Sequence, residues 1–508
     1  MNTTHTSYMS TIRTLYSLEL HTFFLLLLVC PLLLFLLLLV VKSQKRWCNC
    51  AICTAYVTSS WASDYPNLCD WLTDLLRQSP THTIHIHVLG NIITANPDNV
   101  EHMLRRNFQN YPKGKPFSAI LGDLLGQGIF NADGESWHFQ RKMAAVELNA
   151  ASVRNFTVHI VSSEISNRLL PLLDSIAIDN SELPDGEVID LQDVFRRFAF
   201  DVMCKVSFGL DPGCLELSLP VSEFAKAFDT ASMLSARRGA AAFPFIWKAK
   251  RLFNIGSERE LKRAIQMVNS LANEVIRQRK NLGFASTHDL LSRFMGSVQD
   301  DKYLRDIVIS FMLAGRDTVA STLTLFFLQL SKHTRVKNSI REEQERIGSC
   351  EKLSNMQYLQ AALYESMRLY PPVQFDSKFC LENDTLADGT FVRKGTRVTY
   401  HCYAMGRMEE VWGKDWAEFR PERWIRDDGK FSFFPESAFE CPIFHAGPRE
   451  CIGKQMSLME MKAVVAAVIK RFDIEVLNGN SPKFALGLTA CLNGGLLVQV
   501  RRRIQTKQ

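Results

Sequence analysis

The chain has 508 residues, 46% apolar and 22% charged, so it is neither disordered nor fibrous and is long enough to bury a large core. A net charge of +6 is mildly basic and spread along the chain. It suits an anionic membrane surface or an acidic protein face and gives no footing for nucleic acid. The 13 cysteines show no framework spacing and read as reduced intracellular thiols.

Phe23 to Val41 is an uncharged apolar run, interrupted only by Cys30 and Pro31, and close to the ~20 residues that span a bilayer core. Lys42, Lys45 and Arg46 follow at once, whereas the preceding segment carries Arg13 against Glu19. The positive-inside rule therefore sets 1–22 in a lumen, 23–41 across the membrane as a signal anchor, and the rest in the cytosol. The short apolar core, basic start and cleavage site of a removable signal peptide are absent. Residues 42–82 read as a linker, and 83–508 as one cytosolic domain. Within the linker, Cys48, Cys50 and Cys53 lack a second cluster to complete four ligands and read as membrane-adjacent thiols without a metal.

Residues 83–96 alternate apolar and polar with β-branched enrichment, which predicts a small sheet, and Pro97 to Phe108 reads as a short helix. Tyr111 to Asp133 is rich in Gly and Pro and reads as a long irregular loop, a substrate or lid segment. Its Gly126-Gln127-Gly128 lacks the preceding strand and third glycine of a dinucleotide fingerprint. Helical periodicity dominates from Glu135 to about residue 370, with breaks near Gly209–Pro212, Pro244 and Asn281–Gly283. Strand-like patches follow around Val392, at Thr396–Tyr400 and at Leu488–Val500, where Gly494-Gly495 marks a turn. The expected fold is mainly α with a minor β region.

Four constellations carry chemistry. Trp137 and Arg141 are four apart on a helix, so an indole N–H and a guanidinium share a face and can reach one anion; a surface Arg stacked on Trp is the bland alternative. In Ala314-Gly315-Arg316-Asp317-Thr318, inside an apolar helix from about Leu304 to Leu330, Ala314 and Thr318 face the same way. Gly315 lets the helix open, and a hydroxyl beside the Asp317 carboxylate can relay protons through an ordered water. Glu365 and Arg368 are three apart, which by itself means an exposed helical pair worth ~0.3–0.5 kcal/mol. Last, Phe444-His445-Ala446-Gly447-Pro448-Arg449-Glu450-Cys451-Ile452-Gly453 holds one cysteine in a Gly-punctuated loop ahead of a helix. Backbone N–H groups and the helix dipole stabilise a thiolate there, which suits a metal needing one strongly donating ligand, haem iron above all.

The pattern Phe-x-x-Gly-x-Arg-x-Cys-x-Gly resembles the haem-binding loop of cytochrome P-450 monooxygenases, and the other three constellations match that family in type and order. The resemblance implies a single large P-450 fold behind the anchor, with haem b ligated by Cys451 and flanked by Phe444 and Ala314. It implies propionate binding by Trp137, Arg141 and Arg449, catalysis through Asp317 and Thr318, and a buried structural network of Glu365, Arg368 and Arg423. It further implies dioxygen, electrons from a separate NADPH-cytochrome P-450 reductase, contact with membrane lipid, and an endoplasmic reticulum location. Lys142, Arg449 and Lys454 are the expected contacts of the reductase.

Asn110 to Phe117, Leu121 to Gly126, Gly128 to Asn131, Tyr403 to Met408 and Val411 to Gly413 look like the plant fatty-acid omega-hydroxylase group. Trp47 to Cys50 and Pro372 to Lys378 look most like its jasmonoyl-isoleucine-oxidising branch. That branch is implied to oxidise jasmonoyl-isoleucine and its 12-hydroxy form, on to the 12-carboxy form, and to omega-hydroxylate fatty acids. A general omega-hydroxylase for cutin- or suberin-type lipids is the alternative. A hydroperoxide-rearranging enzyme of the same fold is a further one, against which Asp317-Thr318 argues. By resemblance the substrate pocket comprises Phe117, Leu121, Leu125, Ile307, Phe311, Val373, Phe375, Thr489 and Leu492 with Ala314, an apolar set that core packing explains equally well. The partner of a substrate carboxylate stays open among the many lysines and arginines.

Overall fold

The computed structural model describes residues 48–503 except 179–186, 216–222, 283–288, 349, 436 and 480–481, together with positions 27, 29, 31, 32 and 34. The expected membrane span thus lies largely outside the described residues. Its five described positions are helical, and Leu27 and Leu34 are more than half exposed.

Helix dominates, as the periodicity predicts. The helices that position the site are α1 (Ala51–Thr58), α2 (Leu68–Gln78), α3 (Gly114–Leu125), α4 (Gly134–Asn149), α5 (Leu191–Phe208), α6 (Glu223–Ala240), α7 (Asp301–Lys332), α8 (Gln357–Leu369) and α9 (Lys454–Arg471). The expected breaks are where helices stop or start. Gly209 ends α5 in the left-handed conformation, and Pro244 opens the helix Pro244–Phe253.

The small sheet near the N-terminus is larger than its local alternation suggests. Strands β1 (Thr83–Ile86), β2 (Asn91–Thr94), β3 (Asp376–Phe379) and β4 (Arg397–Tyr400) run in the order β1-β2-β4-β3. Only β2 and β4 are parallel, with Asn91 opposite Arg397. Parallel partners need a crossover, and here most of the helical body is that crossover, so the sheet ties the two ends of the domain together.

Helix α7 runs through the core. Asp300 caps it by accepting from the Lys302 N–H, and it is long and apolar enough to cross a bilayer. Its most apolar window is 72% buried inside the protein, which marks it as a core helix. It widens into a single π turn at Leu313–Asp317, where the sequence places its glycine. A Cβ on Gly315 would lie 2.1 Å from Met203 Cε of α5, so the missing side chain lets α5 close on the turn.

One expectation is corrected. The Gly/Pro-rich stretch is not a long loop, because Gly114–Leu125 is helical. Its glycines and proline cluster at the ends and first turn, while Phe117, Ile120, Leu121, Leu124 and Leu125 recur at helical spacing. Asp133 accepts the N–H groups of Lys113 and Gly114 at 3.0 and 2.8 Å and so caps α3 from outside. The following Gly126-Gln127-Gly128 is a turn docked on α7: Gln127 N–H donates to Asp306 at 2.8 Å. A Cβ on Gly126, which has φ +51°, would collide with that carboxylate.

The Glu365–Arg368 pair is fully buried, unlike an ordinary surface pair. Arg368 donates to both Glu365 oxygens, at 2.7 and 2.8 Å, and its other N–H groups reach the carbonyls of Gly406, Trp416 and Glu418. Glu365 also accepts from Arg423 Nε, Trp424 Nε1 and the Arg420 N–H, at 3.0, 2.9 and 2.9 Å. Glu365→Gln leaves two buried guanidinium groups against a neutral amide. It should lower stability by about 3–5 kcal/mol, read as a fall in the urea unfolding midpoint.

Candidate functional site

The cysteine loop is fixed by its backbone. Cys451 N–H donates to Phe444 O at 2.8 Å, closing the loop ahead of α9. His445 and Gly447 both take positive φ, at 62° and 68°. A Cβ on Gly447 would sit 2.3 Å from Leu104 O, so glycine is required for the loop to reach the neighbouring segment.

Above the loop lies a cavity of about 870 Å³. Cys451 has an exposed surface, but that surface faces the cavity, and the surrounding protein shields it from bulk solvent. Burial therefore pushes its thiol up from the ordinary value, while the Gly453 N–H and the Arg141 charge pull it down. A bound cation adds to the downward pull and deprotonates a coordinating thiol.

Trp137, Arg141, Phe444, Arg449, Ala314 and Thr318 line this same cavity. Arg449 lies over the Trp137 ring at 4.5 Å and Arg141 lies 5.8 Å from the same ring, so α4 and the cysteine loop bring two cations to one indole. Arg449 donates to Asp133 at 2.7 Å and to Ala132 O at 2.9 Å, and its Nε is buried without a partner. With its side chain 7% exposed, Arg449 points inward and is removed from the expected reductase contacts; Lys142 is exposed.

On α7, Thr318 Oγ1 donates to Ala314 O at 2.6 Å, bonding across the π turn. Asp317 turns away from the cavity. It is 6% exposed and accepts from Arg316 at 3.0 Å, and Arg316 donates in turn to Asp229 of α6 at 2.7 Å. Burial raises the Asp317 carboxyl above its ordinary value, and the Arg316 charge opposes that rise.

Phe117, Leu121, Leu125, Ile307, Phe311, Val373, Phe375 and Thr489 also line the cavity. Leu492 does not. It packs into the core from the short strand Cys491–Leu492, and its backbone exchanges hydrogen bonds with the Gln192 side chain at 2.8 and 3.1 Å. The Sγ atoms of Cys48, Cys50 and Cys53 gather within 4.8 Å of one another at the start of α1, apart from this site.

Sequence reasoning missed a second ionic group beside the loop. Asp376 on β3 meets Lys113 at 2.5 Å, Lys378 at 2.9 Å and His445 Nε2 at 3.3 Å. Burial pushes the Asp376 carboxyl up, but the two lysines outweigh it and hold it well below the usual carboxylate range. The available signal was Asp376 and Lys378 at i, i+2 in a strand, which puts both on one face.

A sequence profile of the family described as "Cytochrome P450" matches residues 74–501. The chain is 57% identical over 472 residues to cytochrome P450 94C1 of Arabidopsis thaliana, covering 90% of this chain and 94% of that protein. It is 48% identical to cytochrome P450 94B1 of Arabidopsis thaliana (86% and 88% covered) and 44% identical to cytochrome P450 94A1 of Vicia sativa (85% and 86% covered). The chain belongs to the cytochrome P450 family.

P450 enzymes are haem monooxygenases. They carry haem b, take electrons from a redox partner, and use dioxygen on small-molecule substrates. The residues present fit that cofactor. A flat apolar macrocycle suits the Phe444 and Ala314 walls, its anionic edge suits Arg141 and the unpartnered Arg449 Nε, and its iron suits one thiolate.

Arg449→Met keeps much of the stem but removes the charge over Trp137. The haem-to-protein absorbance ratio of the purified variant should fall well below that of the wild type. A pH dependence also follows. Burial holds His445 at about 4 and His401 at about 3 against an ordinary 6.5, so the unfolded chain binds more protons between those values. Stability is complete above pH 6.5 and is lost as pH falls towards 4. The urea midpoint should therefore be lower at pH 5 than at pH 7.5.

Proposed function

We propose that this P450 hydroxylates the terminal carbon of fatty acyl substrates, among them jasmonoyl-isoleucine and its 12-hydroxy derivative, the latter oxidised on to the 12-carboxy form. The observation that carries the reading is one cavity bounded by Cys451, by the Arg141–Trp137–Arg449 cluster, by Thr318 and by apolar side chains along α3 and α7. The plant omega-hydroxylase resemblance and the 57% identity to cytochrome P450 94C1 support the substrate class.

In this reading the Cys451 thiolate would hold the haem iron, and Arg449, Arg141 and Trp137 would hold the propionates. When bound, the haem would supply dioxygen activation: one oxygen atom enters the substrate C–H bond as C–OH and the other leaves as water, with two electrons from the redox partner and two protons. The remaining work belongs to the chain. Phe117, Leu121, Leu125, Ile307 and Phe311 exclude water and hold the apolar length of the acyl chain. Thr318 keeps a hydroxyl at the α7 wall. Asp317 holds the proton reservoir behind it, reaching the cavity by a water or a turn of its side chain away from Arg316. Glu365, Arg368 and Arg423 act on the fold alone.

The reading also sets residues 23–41 as an anchor in the endoplasmic reticulum membrane, 42–82 as a linker and 83–508 as the catalytic domain. An NADPH-dependent reductase of the same membrane is the electron donor, meeting Lys142 and Lys454 with an acidic face.

Co-expression with a plant reductase, followed by mass analysis after separate feeding of jasmonoyl-isoleucine, its 12-hydroxy form and lauric acid, tests the substrate reading. Terminal oxidation of none of them would overturn it. Cys451→Ser should abolish the thiolate-type spectrum of the reduced carbon-monoxide complex, and its survival would sink the ligand assignment. Thr318→Ala should slow product formation by about 100-fold while leaving that spectrum intact.

A further inference from the structure

Besides Arg449 Nε, two buried N–H donors in the cavity wall have no partner among the described residues, His401 Nε2 and Gln374 Nε2. His401 follows β4 and is fully buried. Its Nδ1 accepts the Ala404 N–H at 3.2 Å, capping the short helix Cys402–Met405, and this assigns the ring proton to Nε2. The ring is neutral across the physiological range because burial holds its pKa at about 3, so Nε2 is a fixed donor. Gln374 precedes β3. Its Oε1 accepts from Cys69 of α2 at 3.4 Å, which leaves the amide N–H2 as the free end. The Tyr403 N–H donates to Gln374 O at 3.1 Å and ties the two segments together, and the Phe375 ring lies 5.8 Å from the His401 ring.

A buried donor without an acceptor carries the full penalty of desolvation. Two of them in the wall of a substrate cavity fit a ligand that brings the acceptor. The surrounding charge favours an anion. Arg407 is close enough to depress the His401 ring, and its guanidinium is spent on carbonyls of Leu369 and Tyr403. The nearby carboxylate of Asp70 is engaged by Tyr403 and Asn67, at 2.6 and 2.9 Å.

We propose that His401 Nε2–H and Gln374 Nε2–H2 form the head-group subsite of this cavity, holding the carboxylate or carbonyl oxygen at the polar end of an acyl substrate. The inference rests on the acyl reading above and deepens it. The polar anchor consists of neutral donors from the sheet, and no lysine or arginine touches the head group. A fatty acid and an acyl-amino acid conjugate share this chemistry, and the anchor leaves the opposite end of the chain as the one that reacts.

The test is a binding measurement. Lauric acid and jasmonoyl-isoleucine are titrated separately into the haem-loaded full chain in lipid nanodiscs, and the ligand-induced shift of the haem absorption band gives Kd. His401→Ser keeps a side-chain oxygen for the helix cap but has no outer donor, and Gln374→Met keeps the shape without the amide. Each should raise Kd for at least one of the acids by about tenfold or more. Binding of 4-phenylimidazole and the reduced carbon-monoxide spectrum should match the wild type. A rise with one acid only identifies which source of head group the subsite serves. If the wild type binds the acids and both variants bind them equally well, this inference falls alone. If the wild type binds neither acid, the substrate reading falls and takes this inference with it.

Discussion

The structure hangs on a single buried carboxylate. Glu365 has no exposure to solvent, and each of its oxygens is shared between α8 and the segment 415–424. An anion in that position is tolerable only because two guanidinium groups, an indole N–H and a backbone N–H converge on it. What it fixes extends beyond the ion pair. Trp424, held through Nε1, packs against Tyr364, Phe431 and Phe433, and Tyr364 lies 5.9 Å from Phe444, whose carbonyl receives the Cys451 N–H. The position of one sulfur is thus set by a chain of stiff aromatic contacts leading back to one carboxylate.

The site itself divides by charge. Its cations come from the cysteine loop and α4, and Asp133 serves as a hinge between them. That carboxylate caps α3 through Lys113 and Gly114 while receiving Arg449, so the helix that builds one apolar wall and the arginine beside the cysteine share a support. The other walls are mainly apolar, and the carboxylates Asp376 and Asp317 next to them are paired off. Asp376 is surrounded by Lys113, Lys378 and His445, and Asp317 is held by Arg316. A mostly apolar cavity with Cys451 in one wall results, which suits a largely hydrocarbon substrate.

The sequence made legible those features that are local or carried by rigid spacing. The four-residue step from Trp137 to Arg141, the Gly in the α7 turn and the glycines around Cys451 report their geometry directly, because periodicity and backbone freedom leave few alternatives. Helix α3 was hidden because its Gly and Pro sit where they do no harm, at the ends and first turn, so composition misled where periodicity would have served. Leu492 and Asp317 show the other limit. Asp317 adjoins the cavity-lining Thr318 and Leu492 follows the lining Thr489 by three residues, yet Leu492 turns into the core and Asp317 towards α6. Direction within a two-residue strand or a π turn depends on partners such as Gln192 for Leu492 and, through Arg316, Asp229 for Asp317, which lie far away in sequence. The capping role of His401 depends likewise on the bend of the chain after β4.

The hydroxyl of Thr318 has one hydrogen, and the bond to Ala314 O consumes it. What remains towards the cavity is lone pairs alone. The residue therefore acts there as a polarity filter. A molecule that brings a proton, such as water, can settle against it, whereas a bare acceptor finds nothing to bind. Rotation of the hydroxyl would exchange these roles, but only by leaving a carbonyl in the widened turn without its donor. The opening in α7 and the sign of the contact it offers are thus two sides of one hydrogen bond.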